Sequence, residues 1–160
     1  MPTNNMHLDK KIAHLLLRNG QTLAIAESCT GGLLANRLTN IPGSSAFFWL
    51  GIIAYDYAAK VKLLNVPPAM LKKYGAVSAQ VASCMAANVR KLLNTDYGIA
   101  ITGIAGPSGA TKTKSIGLVF IAVGTRRRIM VEKFQFKGGR LGIKTHAAKS
   151  ALTLLLQCIH

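Results

Sequence analysis

A serine between an apolar run and a glycine pair is the first feature of this chain that could do chemistry. Residues 26–32 read AESCTGG and follow residues 22–26, a short apolar run typical of a buried strand. Ser28 would then lie on a strand-to-helix turn at the carboxyl end of a sheet, where ligands bind in open α/β folds. The glycines let backbone N–H groups approach a ligand closely, and a helix start favours an oxyanion or a phosphate.

A plainer interpretation of the same segment remains open. Ser28 and Thr30 could only cap the helix that follows them. The segment matches neither the G-x-S-x-G turn of many hydrolases nor the G-x-x-x-x-G-K-[ST] phosphate loop. Neither of those standard functions therefore follows from it.

A lysine after the next apolar run is the second polar candidate. Tyr55 and Lys60 lie five residues apart, where a predicted strand ends and a short helix begins. A serine hydroxyl is a weak nucleophile until a neighbouring base takes its proton. A lysine can be that base when burial or a nearby cation lowers its pKa toward the working pH; otherwise it is a solvated surface group. The four histidines, at positions 7, 14, 146 and 160, lie outside these segments, so a Ser-His-Asp triad has no local support.

A glycine-rich loop after a third apolar run is the remaining candidate for ligand contact. Residues 101–107 read ITGIAGP and open a polar stretch that continues to residue 115. Backbone N–H groups at Thr102 and Gly103 could stabilise an oxyanion, or the glycines could only satisfy turn geometry. The sequence shows no ligand-spaced set of His, Cys, Asp and Glu, so we predict no metal site.

The order of these segments resembles that of one known family. AESCTGG is followed by IPGSSAFF, by the Tyr55 and Lys60 pair, by YGAVS, by residues 95–107 and by FKGGR before the last helix. The matching pieces cover the chain from about residue 8 to its end. On these motifs the chain is identified as a member of the CinA C-terminal domain family. It is similar to the stand-alone, PncC-like nicotinamide-mononucleotide deamidases, and we expect it to lack the additional N-terminal domain of the larger CinA proteins.

The resemblance implies both an activity and a set of residues. The activity is an amidohydrolase of pyridine nucleotide salvage, which converts nicotinamide mononucleotide and water to nicotinic acid mononucleotide and ammonia without a cofactor. Ser28 would be the nucleophile, Lys60 its base, and Tyr55 would assist or orient the pair. The residues implied to bind the substrate are Thr30, Gly31, Gly32, Ser44, Thr102, Gly103 and Arg140.

Several positions depart from the family pattern. Ser108 and Ser115 stand where Asp and Pro are typical, Tyr57 replaces an Asn, Gly139 replaces an Asp, and Lys144 stands where an Arg is common. Because nucleophile and base are intact, these departures bear on substrate affinity and specificity more than on the chemistry. Two alternatives stay open: a catalytically weak relative that acts as a binding protein, linked to nucleic acid or competence, and a serine amidase for a different amide.

Hydrophobic periodicity predicts the elements that must position these residues. Ser78 is expected to cap one helix, whose buried face carries Val81, Met85, Val89 and Leu92, and the Pro67–Pro68 pair is expected to end another. Helices are predicted at residues 7–19, 33–38, 58–64, 79–94 and 141–159, and strands at 22–26, 47–55, 97–101, 116–123 and 129–136. The strand at 47–55 is apolar on both faces and is predicted to be central, and residues 126–128 should form a hairpin tip. We expect one domain over residues 1–160, a three-layer α/β/α fold with a mixed sheet.

Composition limits the classes of partner. The chain has 20 Lys plus Arg against 5 Asp plus Glu, a net charge of +15, and half of its residues are apolar. A disordered basic tail is poor in apolar residues, so this chain can bury a core. Basic proteins attract phosphate, but no long basic helix and no aromatic-interleaved strand appears. Most of this charge is therefore expected to be solvated surface, with nucleic acid or an anionic small molecule as the alternative partners. The family resemblance places nucleic acid behind a small nucleotide.

The remaining expectations concern location and assembly. The longest apolar run, residues 46–55, is too short for a membrane helix of about 20 residues, and the N-terminal segment has no signal-peptide pattern. The three cysteines fit neither a disulfide framework nor a zinc pattern, so we expect a cytoplasmic protein without membrane contact. The aromatic run Phe47, Phe48 and Trp49 is either core strand or a subunit interface, and the second interpretation predicts a homo-oligomer.

Overall fold

The computed structural model describes residues 5–160, with side chains from residue 8 onward. Within this range the helices are α1 (Asn5–Asn19), α2 (Leu33–Thr39), α3 (Tyr57–Leu64), α4 (Pro68–Tyr74), α5 (Ala79–Leu92) and α6 (Arg140–Cys158). The strands are β1 (Leu23–Glu27), β2 (Phe48–Ile53), β3 (Tyr97–Gly103), β4 (Leu118–Gly124) and β5 (Ile129–Gln135). A short 3-10 helix, Ser44–Ala46, precedes β2. All the predicted elements are present with bounds shifted by at most a few residues.

The strands form one mixed sheet in the order β2-β1-β3-β4-β5. Strand β1 pairs in parallel with both β2 and β3, whereas β4 is antiparallel to β3 and to β5. Helices α1, α2 and α6 cover one face, and α3, α4 and α5 cover the other. The predicted three-layer α/β/α fold with a mixed sheet is confirmed.

Strands β1 and β3 are buried on both faces, and their pairing brings their carboxyl ends together. Every residue of β1 is buried, and in β3 only the last residue, Gly103, is partly exposed. Because the two strands are parallel and in register from Leu23 opposite Tyr97 to Glu27 opposite Ile101, their carboxyl ends meet at one edge of the sheet. Ser28 and Thr102 are thereby placed side by side, although they are far apart in sequence.

The prediction of a central strand at residues 47–55 is wrong, because β2 lies at the edge of the sheet. Its residues alternate between half-buried and exposed, and Trp49 and Ile53 are 51% and 55% exposed. Leu50 and Ile52 pack on the core beneath α3, α4 and α5, so the other apolar face is left at the edge. An apolar sequence on both faces therefore does not by itself show that both faces of a strand are covered.

The region after α3 contains a helix that was not predicted. The Pro67–Pro68 pair does not simply end a helix: α3 stops at Leu64, and Pro68 is the first residue of α4. Proline is tolerated at that position because the first N–H groups of a helix have no partner within the helix. Tyr74 ends α4 and leads the chain back to the sheet edge at Ala76.

Other local predictions are confirmed in part. Ser78 Oγ accepts a hydrogen bond from Val81 N at 3.3 Å and so caps α5, but Leu92 is 47% exposed at the end of that helix. Strands β4 and β5 form the predicted hairpin around residues 126–128. Within residues 5–160, none of the helices is both long enough and apolar enough to cross a membrane.

Helix α5 packs directly on a surface of small residues. Ala24, Ala26, Ala100 and Ala122 face it from three neighbouring strands, and Gly98 completes that surface. A Cβ at Gly98 would lie 2.3 Å from the carbonyl oxygen of Ala86 and 2.7 Å from Arg90 Cβ. The helix backbone occupies this space, so a larger residue can be accommodated only if α5 moves.

We therefore expect Gly98→Ala to lower the free energy of unfolding by roughly 1–3 kcal/mol, the usual cost of overpacking. Urea unfolding followed by circular dichroism measures this change. Gly142→Ala is the control: it lies in α6 with no atom near its Cβ position, and alanine should stabilise the helix by roughly 0.5–1 kcal/mol. Equal stability of Gly98→Ala and the wild type would contradict the close packing of α5.

Candidate active site

Ser28 lies at the carboxyl edge of the sheet, immediately after β1. Its backbone N–H donates to the carbonyl of Ile101 at 3.0 Å, which continues the pairing with β3 by one residue. The side chain is 8% exposed, and Thr102 beside it is 1% exposed. The hydroxyl of Thr102 donates to the Ala76 carbonyl at 2.8 Å and joins this edge to the segment after α4.

Lys60 reaches Ser28 from α3, as the Ser-Lys hypothesis requires. Its Nζ lies 2.9 Å from Ser28 Oγ, and the residue is 1% exposed. The same nitrogen donates to the carbonyl of Ala54 at 2.7 Å and to that of Tyr55 at 3.1 Å. Asp56 fixes the start of α3 by accepting from Ala58 N at 2.8 Å, which sets the direction from which the lysine enters.

Burial makes this amine neutral, and so available as a base, at lower pH than an ordinary lysine. Removal from water disfavours the charged form and lowers the pKa of Lys60, while Cys29 and Asp56 oppose the shift. The geometry suits both protonation states. The ammonium has three N–H groups for three acceptors, and the neutral amine keeps two for the carbonyls and turns its lone pair toward the serine hydroxyl.

Glu27 organises the other side of the serine turn. Its carboxylate is 1% exposed and accepts from Leu34 N and Ala35 N, each at 3.0 Å. The N–H groups of Leu34 and Ala35 at the start of α2 are therefore occupied by a protein carboxylate and are not available to an oxyanion or a phosphate. The capping alternative is wrong, since the residue before α2 is Gly32, which makes no side-chain cap.

The remaining N–H groups of the turn divide into those with and those without a backbone acceptor. Gly31 N donates to the Ser28 carbonyl and Leu33 N to that of Thr30. Among the described residues, Cys29 N, Thr30 N and Gly32 N donate to no backbone carbonyl. They lie within four residues of the serine, so they are candidate donors to an oxygen on a carbon attacked by Ser28.

A cavity of about 270 Å³ opens above the serine and lysine. Of the candidate residues, Ser28, Tyr55, Lys60, Thr102, Gly103 and Arg140 line it. Further lining comes from Cys29, Tyr57, Ala76, Val77 and residues 104–106, 108 and 109. Five separate segments of the sequence thus converge on one space: residues 28–29, 55–60, 76–77, 102–109 and 140.

Arg140 connects two walls of this cavity. Its guanidinium donates to the Gly106 carbonyl at 2.6 Å and to the Tyr55 hydroxyl at 2.8 Å. Tyr55 is 57% exposed, and its link to Lys60 runs through its backbone carbonyl. Arg140 is the first residue of α6, so the last helix of the chain contributes directly to the site.

Four of the candidate residues do not line the cavity. Thr30 is 1% exposed, and its hydroxyl has no hydrogen-bond partner among the described residues. Gly31 and Gly32 form the left-handed turn before α2, and the nearest atom to a Cβ at Gly31 would be Lys144 Nζ at 3.8 Å. Ser44 belongs to the 3-10 helix before β2, and therefore lies toward the opposite, amino edge of the sheet.

Cys29 is the lining residue that sequence reasoning did not consider. Burial raises the pKa of its thiol to about 11, so the thiol stays protonated near neutral pH and is a poor nucleophile beside Ser28. Ala76 and Val77 were also missed, since only the path of the chain after α4 brings them here. The role of Glu27 could have been suspected, because a carboxylate one residue before a polar turn seldom ends a fully buried strand.

The comparison with known families gives the same assignment as the motifs. The family model described as the CinA C-terminal domain matches residues 5–159. The chain belongs to the CinA C-terminal domain family. Among the residues that the structure describes, no three His, Cys, Asp or Glu side chains cluster as metal ligands would.

Relatives of the CinA family resemble this chain along nearly its whole length. A CinA-like protein of Geobacter sulfurreducens is 45% identical over 148 residues, which are 92% of this chain and 36% of that protein. The chain spans between 36% and 38% of the length of the curated relatives that match it first. Activities of the full-length relatives are therefore not assigned to this chain on the basis of the match.

Solved structures of the CinA family share the fold closely. A competence/damage inducible protein, CihA, from Agrobacterium tumefaciens superimposes with a TM-score of 0.95 at 34% identity, covering 98% of this chain and 96% of that one. A competence or damage-inducible protein from Enterobacter asburiae gives 0.93 at 33% identity, with coverages of 97% and 98%.

The lowered pKa of Lys60 has a consequence for stability. Between that pKa and the ordinary lysine value, the unfolded chain binds a proton that the folded protein releases, so the stability contribution of Lys60 rises with pH. We expect the wild type to gain unfolding free energy relative to Lys60→Met as the pH increases from about 7 to about 10. Urea titrations of both proteins at each pH measure the difference.

Lys62→Met is the control, since Lys62 is an exposed lysine on the same helix. Its difference from the wild type should change much less over the same range. A constant difference between wild type and Lys60→Met would show that Lys60 titrates like a solvent-exposed lysine.

Proposed function

We propose that this protein is an amidohydrolase that deamidates nicotinamide mononucleotide to nicotinic acid mononucleotide and ammonia. The observation that carries the proposal is the 2.9 Å contact between Lys60 Nζ and Ser28 Oγ on the wall of a cavity. Family membership supports it, because the motifs that resemble the stand-alone deamidases contain both residues. This assignment would place the protein in pyridine nucleotide salvage, in the cytoplasm.

The first half of the reaction is acyl transfer to the serine. Neutral Lys60 takes the proton of Ser28 Oγ while that oxygen attacks the carboxamide carbon. The carbonyl oxygen becomes negatively charged and is stabilised by backbone N–H groups of the serine turn, of which Cys29 lines the cavity. Lys60 then gives its proton to the amide nitrogen, the C–N bond breaks, and ammonia leaves an ester on Ser28.

The second half returns the enzyme to its starting state. Lys60, neutral again, takes a proton from a water molecule that attacks the ester carbon. The new tetrahedral centre collapses, Ser28 Oγ leaves with the proton from Lys60, and the product is the carboxylic acid. Every proton transfer uses the same amine, whose position is fixed by the carbonyls of Ala54 and Tyr55.

The cavity walls fit the rest of the substrate by charge. At about 270 Å³ the cavity suits the pyridine ring and its amide better than a whole nucleotide, so we place the ribose phosphate at its mouth. Arg140 lines the cavity, and Lys144 lies near Gly31 on the next turn of α6. Both can face the phosphate, while the Thr102 and Gly103 segment borders the ring.

We expect Ser28→Ala to lower kcat by at least about 10³-fold, because Ser28 Oγ is the one hydroxyl among the described residues that is hydrogen-bonded to Lys60 Nζ. Lys60→Met should cause a comparable loss. Ammonia release from nicotinamide mononucleotide measures turnover, and hydroxylamine should trap a hydroxamate product with the wild type but not with Ser28→Ala. Circular dichroism checks that both variants fold.

Ser83→Ala is the matched control, because Ser83 is a half-buried serine on α5 outside the cavity. Its rate should equal that of the wild type. Full activity of Ser28→Ala would rule out the mechanism. Ammonia release from other amides but not from nicotinamide mononucleotide would favour the alternative amidase, to which Ser108 in the cavity wall could adapt the site.

We also propose that the chain forms a homo-oligomer through the edge strand β2. Trp49, Ile53 and Tyr55 are each more than half exposed along this strand and its end. An edge strand with free backbone groups and an exposed apolar face is a template for association. Such an interface would lie beside Tyr55 and Tyr57 at the mouth of the cavity.

We expect the double variant Trp49→Lys/Ile53→Lys to be monomeric where the wild type is oligomeric, because two desolvated charges oppose association. Size-exclusion chromatography with light scattering measures the mass. Leu92→Lys, at a residue with 47% exposure on the end of α5, is the control and should keep the wild-type mass. A monomeric wild type would contradict this proposal.

A further inference from the structure

The acidic side chains of this protein are mostly engaged in internal contacts. Asp9 forms a two-point ion pair with Arg37, at 2.6 and 3.1 Å, and Glu27 binds the start of α2. Asp56 caps α3, and Asp96 accepts from Thr22. Among the residues that the structure describes, Glu132 is the one acid without such a contact, so the basic surface has little negative charge of its own to neutralise it.

The densest group of these basic residues lies at the amino edge of the sheet. The turn between β4 and β5, residues 125–128, carries three consecutive arginines, all exposed. We call it the arginine turn. Arg90 and Lys91, at the end of α5, line a cavity of about 240 Å³ together with this turn. Five cations therefore lie close together, four of them arginines.

The backbone of the arginine turn is fixed by Thr125. Its N–H donates to the Arg128 carbonyl at 2.8 Å, and its hydroxyl accepts from the N–H groups of Arg127 and Arg128 at 3.2 and 3.1 Å. The three guanidinium groups thus extend from a defined turn. Such a turn binds with less loss of conformational entropy than a flexible basic tail.

Cavities flank the arginine turn on both sides. The second, of about 500 Å³, is lined by the turn together with Gln21, Asp96, Tyr97, Cys158 and His160. Asp96 is the one carboxylate among the lining side chains, and it lies 3.8 Å from Arg126 Nε. Arg127 and Arg128 make no ion pair among the described residues, so their charges are available to an external anion.

We propose that the arginine turn, with Arg90 and Lys91, is a binding surface for the phosphate backbone of nucleic acid. Its charge density matches a partner that carries one negative charge per about 1.7 Å of duplex. Guanidinium groups bind phosphate oxygens in pairs, which favours arginine-rich surfaces for this partner. No aromatic side chain on the turn offers a stacking platform, so binding depends on the backbone and not on the base sequence.

This surface is separate from the candidate active site. Ser28 follows the last residue of β1, whereas Asp96 binds Thr22 just before its first residue. The two sites therefore lie at opposite edges of the sheet. Nucleic-acid binding does not depend on the proposed deamidase activity, and each can be removed without the other.

The test is fluorescence anisotropy with a labelled DNA duplex of arbitrary sequence, at several salt concentrations. The turn variant is Arg126→Gln/Arg127→Gln/Arg128→Gln. We expect it to bind at least about tenfold more weakly than the wild type at low salt, and to have a shallower dependence of log K on log salt, by about 2 to 3 in slope. Deamidase activity should be unchanged in this variant, and Ser28→Ala should bind DNA like the wild type.

A charge-matched control distinguishes the effect of the arginine turn on DNA binding from the effect of net charge alone. The variant Lys10→Gln/Lys11→Gln/Lys62→Gln removes three exposed cations that line neither cavity beside the turn. We expect it to bind DNA within about threefold of the wild type, because distant surface charges are largely screened. An equal loss in both variants would overturn the proposal, and so would a wild type that does not bind DNA at low salt.

Two further measurements complete the test. Polyglutamate is added as a competitor: displacement of DNA at equal charge concentration would assign the surface to acidic proteins and overturn the proposal. If the turn variant unfolds, the double variant Arg127→Gln/Arg128→Gln is tested instead. It keeps the contact between Arg126 and Asp96, so we expect it to fold. Wild-type affinity of that folded double variant would also overturn the proposal.

Discussion

A lysine amine held out of water against a serine hydroxyl is the contact on which the rest of the site depends. Burying an amine is costly unless hydrogen bonds replace its hydration, and the carbonyls of Ala54 and Tyr55 supply them. Those carbonyls are available because the pairing of β2 ends at Ile53 and α3 begins only after Asp56. The reactive geometry is therefore set by where one strand stops and one helix starts.

The serine turn is held on its other side by a buried charge. Glu27 occupies the first free N–H groups of α2, and Ser28 N remains paired to β3. A carboxylate at a helix N-terminus is favoured by the helix dipole. The turn between them cannot shift without breaking one of these contacts, so the hydroxyl is positioned before any substrate arrives, as electrostatic catalysis requires.

The net charge of +15 is distributed unevenly over the two edges of the sheet. Four of the acidic side chains make contacts within the protein: Asp9, Glu27, Asp56 and Asp96. Cations at the amino edge are left facing water around the arginine turn. The exposed apolar side chains of β2 form a separate surface beside the mouth of the cavity.

The sequence by itself determined the fold class and nearly all the elements, because periodicity is a local property of a chain. Its ordered motifs, through the family resemblance, also implied the pairing of Ser28 with Lys60. It could not determine that β2 is an edge strand, since burial depends on which strand packs alongside. Nor could it determine that Glu27 fills the helix start assumed to serve a ligand, that Ser44 lies toward the far edge, or that Cys29 and Ala76 line the cavity. Those facts depend on contacts between segments distant in sequence, which only the tertiary structure decided.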